Sequence, residues 1–80
     1  MALYFFDVHN SQFSARDEDG KECENRDSIS AEALRQLCVI AKDDPLLHMN
    51  GTIGAVVRDE HDHVVLTANL VLAVVWVGDA

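Results

Sequence analysis

Positive charge is scarce in this chain. Six lysines and arginines stand against fourteen aspartates and glutamates in 80 residues, a net charge of −8. Such a field repels a phosphate backbone, so no nucleic-acid partner is expected. One proline and four glycines are too few for a linker or a low-complexity tract. The two cysteines, Cys23 and Cys38, lack CxxC spacing and supply neither a disulfide framework nor a metal-ligand series. Long apolar runs are missing as well. The longest, Leu70 to Val77, falls far short of the roughly 20 residues of a membrane span. No basic residue precedes the opening Leu3-Tyr4-Phe5-Phe6, and Asp7 ends it. A signal peptide has neither property, and the expected compartment is the cytoplasm.

What remains is globular: 49% hydrophobic and 25% charged residues, in a length that suits one domain, residues 1–80. Residues 2–8 are of aromatic and β-branched type and predict a strand. Tyr4, Phe6 and Val8 lie on one face and Leu3, Phe5 and Asp7 on the wetter one. His9-Asn10-Ser11 is a turn cluster, and Phe13 and Ala15 alternate with polar neighbours, so the chain opens with a β-hairpin. Arg16 to Asp27 reads as an acidic, solvent-exposed connection, with Cys23 in it and a turn at Asp17-Glu18-Asp19-Gly20. A calcium loop with Gly20 at its sixth position would need a ligand where Ala15 stands, so its register fails.

The clearest element is an amphipathic helix. Leu34, Leu37, Cys38 and Ala41 follow i, i+3, i+4, i+7 spacing, with Ala33, Ile40 and Ala31 widening the stripe. Glu32, Arg35, Gln36 and Lys42 are assigned to the opposite face. Asn25 is the expected N-cap, with Asp27 and Ser28 as competitors, and Pro45 stops the helix. Leu46 to Gly51 is expected to be a loop. Thr52 to Arg58 and Val64 to Thr67 are of strand type and flank a hairpin turn, Asp59 to His63, in which Asp62 tolerates a left-handed backbone. Leu70 to Val77 is a strand or a helical turn. The fold expected is α+β in ββαββ order: an antiparallel sheet of about four strands with one helix on one face.

Tyr4-Phe5-Phe6, Asp17-Glu18-Asp19-Gly20 with Glu22, Ala31 to Arg35, Val57 to Glu60 and Val64 to Thr67 together resemble a family of short bacterial domains of unknown function. The order and spacing of these motifs carry the resemblance over nearly the whole chain. It implies the ββαββ fold and a bacterial source and brings no activity with it. Two features depart from the family: Asp62 stands where glycine is usual, and the tail Leu70 to Val77 is more apolar than usual.

Chemistry-bearing patterns are few. His61, Asp62 and His63 have metal-ligand character, and a metal-dependent enzyme would have to use them. A polar hairpin tip accounts for the same residues. The serines show no Ser-His-Asp arrangement, Cys38 is placed on the buried helix face and hence inert, and no phosphate-cradling loop exists. No catalytic residue, metal or cofactor is therefore expected. The tail residues Leu72, Val74 and Trp76 either complete the core or form an exposed contact patch. The function expected is a non-enzymatic protein-interaction module, with a protein partner or a second copy in a homodimer. The alternatives are an antitoxin-like regulatory protein, by analogy of fold, and the metal site.

Overall fold

The computed structural model describes residues 2–78. Its elements are β1 (Ala2–His9), β2 (Ser14–Ala15), β3 (Lys21–Cys23), α1 (Arg26–Asp43), α2 (Pro45–His48), β4 (Thr52–Arg58) and β5 (Val64–Val71). The expected α+β architecture holds, with one main helix on one face of an antiparallel sheet. The sheet runs β2-β1-β4-β5, and β3 also pairs with β1. Central pairing joins Phe5 to Arg58 and His9 to Gly54.

The core lies between α1 and the sheet. In β4 the odd residues Ile53, Ala55 and Val57 are buried, as alternation along a strand requires. Phe6, Cys23, Ile29, Ala33 and Val57 form one cluster, with Tyr4, Leu66 and Ala68 against it. Leu37, Ala41, Ile53 and Ala55 form the other, and Val8, Ile40, Leu70 and Leu72 pack on it.

Asn25 caps α1 as expected: its side chain accepts from the Ser28 N–H, and the Ser28 hydroxyl accepts from the Asn25 N–H. The phase of the helix differs from the expectation. Its buried row is Ile29, Ala33, Leu37, Ala41, in steps of four, while Leu34 is 49% exposed and Cys38 is exposed. Ala33 and Ala41 let the helix backbone approach the sheet, and Leu37 fills the space between them. Glu32, assigned to the wet face, is buried, held by Lys21, Arg35 and Gln36. That ionic contact ties β3 to the helix and draws this side inward.

Three further corrections follow from the same packing. The Arg16–Asp27 connection is not all solvent-exposed. The Asp17 carboxylate accepts the N–H groups of Phe6, Asp19 and Gly20, folding the turn back so that β3 lies along β1 and Cys23 is buried. Leu46 to Gly51 is not all loop. Pro45 opens the single turn of α2, capped by Asp44, because proline at the first helical position gives up only an N–H that has no partner there anyway. Finally, the last strand runs to Val71, past the Thr67 expected. Leu70 and Val71 complete it, Leu72 packs on the core, and residues 73–78 have no regular structure.

Candidate interaction surface

The open face of the sheet carries the densest polar cluster. Arg58 on β4 and Asp7 on β1 meet in a two-pronged ion pair, Nε to Oδ2 at 2.7 Å and Nη2 to Oδ1 at 3.1 Å. The Arg58 guanidinium also donates to the Asp17 carbonyl at 2.7 Å and to Asp62 at 3.3 Å, and it lies over the Phe5 ring. The Arg58 hydrogen bond holds the Asp7 carboxyl below its ordinary value, and the same bond raises the arginine. Burial raises the Asp17 carboxyl, but the N–H groups of Phe6, Gly20 and Asp19 outweigh it and leave the net shift downward. Every group in this cluster is engaged by another. Its chemistry is that of a tie between the N-terminal hairpin and β4, a role no single motif announced.

The His61-Asp62-His63 turn is built as a hairpin tip. Asp62 takes the left-handed backbone expected of it, φ 67°. Its carboxylate is turned to Arg16 and Arg58, leaving it paired with guanidinium groups. The two imidazole rings are 6.3 Å apart. Asp59 accepts the N–H groups of both histidines, and the His63 N–H in particular lowers its carboxyl pKa. Among the described residues no group of three or more His, Cys, Asp or Glu side chains is placed to hold a metal ion.

The tail residues are brought together only in part. Leu72 packs into the core beside Leu70, and its N–H bonds to the Gly51 carbonyl at 3.1 Å. The Val74 N–H bonds to the Asn50 side chain at 2.9 Å. Beyond that point the side chains leave the fold, and Trp76 is 76% and Val77 88% exposed. Leu46, Leu47 and Met49 in and just after α2, missed by the sequence reading, are exposed as well.

The feature next to the tail is the edge of β5. Among the described residues β5 pairs with β4 alone. It carries no Asp, Glu, Lys, Arg or Pro, and the uncharged stretch continues from Val64 through Gly78. Natural sheets usually protect an outer strand with charge, proline or a covering element. Here the strand has a bulge opposite Val57 and Arg58 and carries neither charge nor proline. On the helix side, at the Val64 end of this edge, lies a cleft of about 410 Å³ lined by Tyr4, Arg26, Ile29, Ser30, Val65 and Leu66. No helix among the described residues is long and apolar enough to cross a membrane.

A family described as "Domain of unknown function (DUF6894)" matches the chain over residues 3–71. No curated protein and no solved structure matches it.

Proposed function

The chain belongs to the DUF6894 family, a domain of unknown function, and from that premise we propose that it is a non-enzymatic protein-interaction module working through the β5 edge and the tail. The observation that carries this reading is the uncharged, proline-free outer edge. An outer strand of eight residues without charge runs into Val74, Val75, Trp76 and Val77, all exposed. Leaving such a run in water forfeits about 25 cal/mol for each Å² of apolar surface. A partner that adds a strand gives the free N–H and C=O groups of the edge a ladder and covers the apolar side chains. Two free cysteines, Cys23 and Cys38, support a reducing compartment such as the cytoplasm.

The test is affinity capture with the tagged chain co-expressed with an untagged copy in a bacterial host, comparing wild type with Trp76→Ala. Trp76 is 76% exposed, so its removal leaves the fold intact. A bound protein, whether another host protein or the untagged copy, that is lost with Trp76 is the expected result. Identical bound sets for the two would refute the reading.

A further inference from the structure

We infer that the occupant of the β5 edge is a second copy of the chain, joined by antiparallel β5–β5 pairing about a two-fold axis at Val71, with Trp76 of each copy seated in the Tyr4–Leu66 cleft of the other. This rests on the interaction-module reading and names its partner.

Charge selects the partner. All fourteen acidic residues lie outside Val64–Gly78, so a basic partner finds nothing to pair with on this edge. Two copies, each at −8, repel one another where their acidic residues face, and along this stretch they meet with none.

Backbone parity and charge then select the register. The Leu72 N–H points to Gly51 on the β4 side, and residues opposite one another in an antiparallel pair alternate between bonded and non-bonded pairs. Leu66, Ala68, Leu70 and Leu72 therefore bond inward, and Thr67, Asn69, Val71 and Ala73 present their N–H and C=O groups at the free edge. Neighbouring antiparallel strands are related by a two-fold axis normal to the sheet, and the residue on that axis pairs with its own copy. An axis at Asn69 or Leu70 brings Asp62 opposite Trp76 or Gly78, and one at Leu72 or Ala73 runs Val65 or Thr67 past the end of the uncharged stretch. An axis at Val71, the midpoint of the uncharged stretch, opposes no charge to any residue of the ladder.

The shape of the chain fits this register. The molecule is 53 Å long, whereas an 18-residue helix spans only about 27 Å. Fifteen residues from Val64 to Gly78, at about 3.4 Å each, span roughly 50 Å, so the tail continues the line of β5 as an arm. With the axis at Val71, the arm of one copy lies along β5 of the other and Trp76 falls opposite Leu66. That is a non-bonded pair, the kind in which side chains approach most closely. Leu66 packs toward the helix side and lines the cleft between Tyr4 and Ile29. The outstretched tryptophan of one copy thus meets a cavity of the other, the arrangement that concentrates binding energy in an interface.

The experiment uses the full chain. Sedimentation across a hundredfold concentration range should show a monomer–dimer equilibrium, and Trp76→Ala should weaken the dimer by at least about thirtyfold. Trp76 is the one tryptophan of the chain, so its emission should move to shorter wavelength as the dimer forms. In a Cys38→Ser background, Val71→Cys should give a disulfide-linked dimer under mild oxidation, because bonded antiparallel pairs place Cα atoms about 5.5 Å apart, within disulfide range. Asn69→Cys should not, and a linked dimer from Asn69→Cys instead would overturn the register. A wild-type chain that stays monomeric overturns the inference. Capture of a different protein that depends on Trp76 would then leave the module reading standing, and absence of any such capture would remove both.

Discussion

Leu37 is the residue on which the helix–sheet packing turns, and its truncation is the sharpest test of the fold. It is 0% exposed and sits in a cluster with Ala41, Ile53 and Ala55. Leu37→Ala removes buried methyl and methylene groups and leaves a cavity. Its neighbours Ala41 and Ala55 are too small to reach into it, so the loss should fall in the range of about 2–5 kcal/mol. An 80-residue domain has a total stability of about 4–12 kcal/mol, so the variant should lose a large share of it. Leu34→Ala, at 49% exposure, and Val39→Ala, at 51%, should each cost about 1 kcal/mol or less, in keeping with the small effects of surface changes. Urea melts followed by far-ultraviolet circular dichroism, with equal slopes across the set, would yield the three differences. A loss for Leu34→Ala equal to that for Leu37→Ala would refute the buried row in steps of four and restore the rotated helix phase.

Acid should unfold the protein through the carboxyls that the fold holds charged. Asp7, Asp17, Glu32 and Asp59 all lie below their ordinary values. Their stabilisation is therefore complete above the unfolded-state values, 3.8 for aspartate and 4.5 for glutamate, and is lost as pH falls through the lower folded-state values. Asp17→Asn should cost about 1–3 kcal/mol near pH 7, since the charge-assisted bonds to Phe6, Asp19 and Gly20 weaken. Its gap from wild type should close in urea melts below pH 3.8, and a gap constant with pH would remove the charge from the explanation. Gly20→Ala should lose about 1–2 kcal/mol in the same melts, because φ is +75° and the added carbon would lie 3.0 Å from the Phe5 ring. An unchanged midpoint would contradict the left-handed backbone there. Zinc titrated against the His61 and His63 NMR signals should give no saturation at micromolar metal, since Asp62 faces two arginines. Saturable binding lost in His63→Ala would reverse this.

Elements governed by local chemistry were legible in the sequence. Residue type found β1 and β4, Asn25 marked the start of the helix, and Asp62 announced its own left-handed turn. Features decided by contacts distant in sequence were not. The helix phase depends on Glu32 meeting Lys21, and the burial of Cys23 depends on Asp17 reaching the Phe6 N–H. Hydrophobic spacing inside the helix carries neither fact, since leucine at 34 and glutamate at 32 each break the pattern that the sheet imposes. For the candidate site, Leu72, Val74 and Trp76 stood out by composition alone. That Leu72 belongs to the core and Trp76 to the surface, and that β5 is an outer strand, follow from strand order, which one sequence does not encode locally.

The β1–β4 pairing bears on how the protein comes into being. Phe5 pairs with Arg58 and His9 with Gly54, so the centre of the sheet joins segments about fifty residues apart in an 80-residue chain. Such pairing must overcome the entropy of closing a long loop before it gains anything, which slows folding relative to helical domains of this size. On the ribosome, where the chain lengthens at about 5–20 residues per second, the Tyr4-Phe5-Phe6 strand emerges seconds before β4 exists. Until then it has only the short strands β2 and β3 to pair with. Nascent β1 is thus an aromatic strand awaiting its partner, with the acidic stretch from Asp17 to Asp27 close behind it, the flanking charge that opposes aggregation of such a strand.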